Sequence, residues 1–190
     1  MKIPGLFRRS RVKETAHTLY IIVVEQARRP AFYRHCGVPD TVDGRFDMIA
    51  IHAFLLLRRL KRDHARTADL AQALFDRMFA DMDQNLRQMG VGDLGVAKRI
   101  KVMAKAFYGR LAAYEAGLAA EDATLADALR RNLFRKTNPR NTDVAALVGY
   151  MRREAAALDA LDLDRMMAGD VGFGPAPGPG QGPGQGEDKA

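Results

Sequence analysis

The string HCGVPDTVDGRFDMIAIH, residues 35–52, gathers more reactive chemistry than any other stretch of the chain. It holds three aspartates, two glycines, a proline, two histidines and the only cysteine. A calcium loop would need oxygen ligands at its first, third and fifth positions and a bidentate glutamate at its twelfth. Counted from Asp40, those later positions are Val42, Gly44 and Ile51, so the calcium reading fails. His35, Cys36 and His52 do not form a zinc set, because no second CxxC or HxxxH element accompanies them. Cys36 has no catalytic histidine signature beside it and reads as a small apolar filler. His52 sits among apolar residues and reads as a hydrogen-bonded core histidine. Asp43 and Asp47 lie one helical turn apart, a spacing that suits paired-carboxylate acid/base work. Nothing else catalytic converges on them, and a salt-bridged face formed with Arg45 or with a lysine of another helix fits better.

A second string, GVGDLGVAKR at residues 90–99, matches GxGxxG through Gly90, Gly92 and Gly95. Dinucleotide binding needs a strand before that motif and a βαβ unit around it, and here a long helical pattern precedes it. No GK[ST] follows, so it is not a phosphate-binding loop of the Walker type. The glycines read as a helix stop, a tight connection and a close start to the next helix. The chain is therefore expected to have no catalytic residues, no cofactor and no metal site.

These strings must be positioned by helices, since the apolar period is helical almost everywhere. A first helix is expected from about Ser10 to Arg29, with Val12, Ala16, Leu19, Val23 and Ala27 on one stripe. Pro30 interrupts it, and Gly37 is placed for a left-handed turn. The second helix runs from Thr41 to about Arg62, capped by Asp40 or Thr41, with Asp43 in the first turn where the helix dipole favours a negative charge. It is apolar all round in its middle, as a central helix should be. The third begins with Thr67 as N-cap and ends at Gly90. The fourth starts at Asp93, and shorter helices follow at 124–135 and 142–163. Residues 1–9 are expected to be flexible. Residues 169–190, rich in glycine, proline and glutamine, are expected to be a disordered tail. No alternating strand or hairpin signal appears, so the fold is expected to be all-α: one bundle of about five to seven helices over 10–168.

With chemistry set aside, surfaces remain. Lys98, Lys101 and Lys105, with Arg99 beside them, mark one face of the fourth helix, away from its apolar stripe. Met78 and Met82 are candidates for an adaptable apolar groove, with core packing as the alternative. Asp43, Arg45 and Asp47 form the third candidate surface. The chain has 190 residues, 47% of them apolar and 28% charged, with a net charge of +7 and a pI near 9.8. That balance suits a globular protein with an anionic partner, either a ribosome or an acidic lipid surface, and not a disulfide framework. No secretory signal or membrane span is read, so a cytoplasmic protein is expected, peripheral at the inner face of the cytoplasmic membrane.

Two long blocks, FYRHCGVPDTVDGRFDMI and LFDRMFADMDQNLRQMGVGDLGVAKRIKVMAKAFYGR, resemble the ubiquinol-cytochrome c chaperone family over roughly residues 18–160. The resemblance is to the bacterial branch. It implies an all-α, non-enzymatic assembly factor that binds newly made cytochrome b and promotes assembly of the cytochrome bc1 complex. Mitochondrial members of that family work with a small partner protein near the ribosomal tunnel exit. DNA is not an expected partner. The competing reading is a basic helical RNA- or ribosome-associated module with no membrane-protein client.

Overall fold

Pro4 opens α1 (Pro4–Ala27), at the first turn of a helix, where a missing backbone N–H leaves no bond unmade. The structure is a computed structural model that describes residues 4–178. The helix thus starts six residues before Ser10: PGLFRR opens with a proline and a glycine, which in sequence mark a turn and hide the helical text that follows. Residues 4–9, expected to be flexible, are helical; residues 1–3 lie outside the described residues. Ala16, Leu19, Val23 and Ala27 are buried along the inner face of α1.

Pro30 ends nothing by itself: it starts the short α2 (Pro30–His35), which buries Phe32. Gly37 follows with φ +63°, the left-handed turn its position suggests. Then comes α3 (Val42–Arg62), with Thr41 as its cap, the side-chain oxygen accepting from the Gly44 N–H at 3.1 Å. Gly44 is there for space. A Cβ on it would lie 2.0 Å from the Pro39 carbonyl oxygen, so any other residue would push the VPDT turn away. From Met48 to Leu56 every residue of α3 is buried, which makes it the central helix against which α1, α4, α5 and α7 pack. Full burial of each large apolar side chain in that run contributes about 1.5–3 kcal/mol.

Asp63 ends α3 and immediately precedes α4 (His64–Gln88). Thr67 is not the N-cap. It lies inside α4, fully buried, and its hydroxyl contacts the carbonyl oxygens of Leu60 at 2.5 Å and Asp63 at 3.0 Å. Those contacts fold α4 back on α3. Gly90, with φ +80°, stops α4, and α5 (Asp93–Ala119) begins after Gly92. The GxGxxG string is thus a helix-to-helix turn. α6 (Asp122–Asn132) crosses α5 at Gly117, where a Cβ would sit 2.8 Å from the Leu125 Cα.

The stretch 142–163 divides into α7 (Asn141–Ala160) and the short α8 (Leu163–Met167), capped by the Asp162 carboxylate. Beyond Gly169 the structure differs from the expected disorder. Residues 169–178 form an extended strap seated on α1 and α7. Its Phe173 ring meets His52 edge-on at 4.9 Å between centroids. Gly174 donates to Glu154 Oε2 and accepts from the Gln26 side chain, both at 2.8 Å, while Arg153 donates to the Pro175 carbonyl at 2.6 Å. Val171 and Phe173 supply apolar anchors that the composition hides, and proline loses little freedom on being fixed. Residues 179–190 lie outside the described residues. Six longer helices and two short ones thus make one all-α bundle, and no strand occurs among the described residues.

Candidate functional site

The DGRFD string divides its charges between an inner and an outer layer. Arg45 turns outward to Asp40 at 2.7 Å. Asp43 meets Lys136 at 2.8 Å and Arg135 at 3.4 Å, and the Lys136 hydrogen bond holds its carboxyl below the usual carboxylate range. Asp47 is not a surface residue. It is 1% exposed, with Arg110 of α5 at 2.8 Å on one oxygen and Arg135, from the turn after α6, on the other. Burial pushes its carboxyl up, while the two guanidinium groups pull against that. This arrangement is a latch that ties α3 to α5 and to the α6–α7 connection. A cavity of about 340 Å³ opens over Thr41, Asp43 and Lys136, but the charges beside it are already paired. Asp43 and Asp47 do converge, through Arg135, but on basic partners and not on any acid/base centre.

His52 is fully buried. Its Nδ1 lies 2.7 Å from the Met48 carbonyl and its Nε2 2.7 Å from the Tyr150 hydroxyl. A carbonyl only accepts, so Nδ1 carries the hydrogen and the Tyr150 hydroxyl donates to Nε2. Gln26 then donates to Tyr150 at 3.0 Å. Burial lowers the His52 pKa to about 4, so the ring is neutral. Cys36 is a buried thiol, its pKa pushed up to about 12 by burial. No group of three histidine, cysteine, aspartate or glutamate side chains able to hold a metal ion occurs among the described residues.

The open chemistry lies on α5. Lys98, Arg99, Lys101 and Lys105 are all exposed, and none has an ion-pair partner among the described residues. Ile100 and Met103 pack inward and Phe107 is buried, as the lysine spacing requires. Leu94, Lys98, Lys101 and Lys105 recur at spacings of four, three and four, which places them on one ridge. Leu94 is 91% exposed and Val102 63%, so apolar side chains interleave with the cations. The ridge continues through Tyr108, Ala112 and Ala116 into the wall of a groove of about 740 Å³ between α4 and α5. Phe54 and Leu57 of α3 form its floor, and Ala68, Ala71 and Phe75 of α4 its other wall. Tyr108 stacks on Phe75 at 5.5 Å and closes one end.

Met78 and Met82 do not line this groove. Both are buried in the core, so their packing role prevails over the groove expected for them. Arg110, grouped by sequence with the surface lysines of its helix, instead turns inward to Asp47, and sequence reasoning also missed Arg135 and the strap contacts of Gln26 and Glu154. One signal was available for the groove. Tyr108, Ala112 and Ala116 fall on the lysine ridge, off the apolar stripe, and their change from charged to apolar marks where α5 leaves solvent for a concave surface.

Fold and surface together define an all-helical bundle with an open apolar groove and a cationic ridge that has no ion-pair partner among the described residues. The chain belongs to the ubiquinol-cytochrome c chaperone family, whose model matches residues 34–173. That match runs past residue 160 to Phe173, the strap residue that packs on His52. The chain is similar to ubiquinol-cytochrome-c reductase complex assembly factor 1 of Xenopus laevis, 28% identical over 175 residues that cover 90% of this chain and 86% of that protein. The mouse assembly factor is 27% identical over 90% of this chain, which spans 59% of its length. Mitochondrial protein CBP3 of Saccharomyces cerevisiae is 28% identical over 148 residues, 76% of this chain and 44% of that one. The crystal structure of the Cbp3 homolog from Brucella abortus matches with a TM-score of 0.81 at 36% identity, over 92% of this chain and 98% of that one.

Proposed function

We propose that this chain is an assembly chaperone of the ubiquinol-cytochrome c reductase (bc1) complex and that its client is newly made cytochrome b. The observation that carries the reading is the α5 ridge, where unpaired cations run directly into an apolar groove. The names of its relatives, reductase assembly factors, support the choice of complex. A multi-span client exposes apolar helices before its haems and partner subunits arrive. An apolar groove suits the shielding of one such segment, and lysines beside it suit an anionic surface close to the site of synthesis. No described helix is long and apolar enough to cross a membrane, so contact with a bilayer is made peripherally, through the ridge. The reading contains no chemical step.

Deleting the gene tests it. Cytochrome b and the assembled bc1 complex should fall while unrelated membrane proteins stay normal. A photo-crosslinker at Lys105 should trap cytochrome b in cells. Normal bc1 levels in the deletion strain would overturn the assignment. The unpaired lysines also favour a second reading, an RNA- or ribosome-associated module without a membrane client. That reading requires binding to RNA that weakens steeply with salt, and it requires no loss of cytochrome b on deletion.

A further inference from the structure

The groove between α4 and α5 has the dimensions and the charge of a seat for one helix. Its walls run antiparallel, from His64 to Phe75 on α4 and from Tyr108 to Ala119 on α5. Each wall is twelve residues of helix, whose eleven steps extend about 16 Å, or three turns. A membrane-spanning helix is about 30 Å long, so the groove covers half of one. The walls carry small side chains, Ala68 and Ala71 facing Ala112, Ala116 and Ala119. Small residues let a helix approach closely. Aromatic rings close one end through the Phe75–Tyr108 stack.

The charge of the rim selects among apolar helices. Lys61 stands at the open end, with no ion-pair partner among the described residues. Lys105 lies one turn beyond the closed end. The one carboxylate on the walls, Glu115, faces Arg58 at 3.5 Å. Net positive charge at both ends complements acidic residues flanking an apolar segment and repels lysine flanks.

Building on the proposed chaperone role, we infer that the α3–α4–α5 groove seats three turns of a single apolar client helix whose flank is acidic, with Lys61 reading that flank. The groove discriminates by the sign of the flanking charge, not by the sequence of the apolar turns.

The test uses the full chain and a dye-labelled 20-residue leucine–alanine peptide in mild nonionic detergent, ending either in two glutamates or in two lysines. Fluorescence anisotropy should show tighter binding of the glutamate-ended peptide. The double substitution Ala112→Trp and Ala116→Trp fills the groove from exposed positions and should weaken binding at least tenfold with the melting curve unchanged. Lys61→Glu, on an exposed side chain, should abolish or invert the end preference. Wild-type affinity in a folded tryptophan variant, or an unchanged preference in Lys61→Glu, overturns the inference. So does a chain that sediments as a dimer and becomes a monomer with the tryptophans, since a second copy would then occupy the groove. In cells, the tryptophan variant should fail to restore cytochrome b to the deletion strain. If it restores cytochrome b fully, the groove is not the client seat and the chaperone role stands. If the deletion strain never lacked cytochrome b, the chaperone role falls, and the peptide measurement decides the groove by itself.

Discussion

Removing the Asp47 carboxylate leaves Arg110, itself nearly buried, with no anion to face. Breaking one side of a buried ion pair costs far more than the pair contributes when intact. Asp47→Ala should therefore lower stability by about 3 kcal/mol in urea unfolding. Arg135→Gln should lose less, because its guanidinium is part exposed, and Asp47→Leu with Arg110→Met should recover much of the loss. His52 makes a second prediction at this scale. Its folded pKa of about 4 lies below the unfolded value, so between pH 6.5 and 4 the unfolded chain binds the extra proton. Stability from this residue is full above pH 6.5 and is lost as pH falls, by about 2 kcal/mol at pH 5. His52→Gln should flatten that part of the curve of melting temperature against pH, and an unaltered curve would show that another group carries the acid sensitivity. Much at this scale was legible in the sequence. The Thr41 cap and the hydrogen-bonded core position of His52 followed from residue types and spacing. The inward turn of Asp47 did not, because Arg135 lies 88 residues away in sequence and only the folded turn after α6 brings it over α3.

At the scale of elements, the apolar period located the long helices, and their ends moved for local reasons. α1 extends back through PGLFRR to Pro4, and Thr67 is a tie between α3 and α4 instead of a cap. The strap was the least legible element. A count of glycine and proline sees low apolar content, whereas Phe173 and Val171 suffice once α1 and α7 present a groove and polar partners for Gly174. Truncation after Ala168 should consequently destabilise the chain by roughly 2 kcal/mol, from the lost Phe173 contact and two or three hydrogen bonds. That corresponds to a fall in melting temperature of about 6 °C.

At the scale of the molecule, the charge of +7 is organised instead of spread evenly. The latch and the surface around it pair their cations, and the α5 ridge does not. Lys98→Glu, Lys101→Glu and Lys105→Glu together should leave unfolding unchanged, since these side chains make no internal contact that stabilises the bundle. Association with vesicles of anionic lipid, or with ribosomes, should drop, most visibly at low salt, where the screening length is greatest. Unchanged association would reduce the ridge to ordinary solvated surface. The ridge lysines were readable from spacing alone, but the groove beside them required the packing of three helices, which no single period encodes.

The strap also sets an order in time. Thr15 bonds to the Met167 carbonyl across 152 residues, and Gln26 to Gly174 across 148. Chains leave the ribosome from the N-terminus, so α1 is made before the strap that covers part of it. Until residues 169–178 emerge, a nascent copy leaves Gln26 without its Gly174 partner, and a protease added to chains stalled before the strap should cut near α1 where it spares the strapped protein. Progress of synthesis is thereby reported by structure: only a copy with its strap in place is closed.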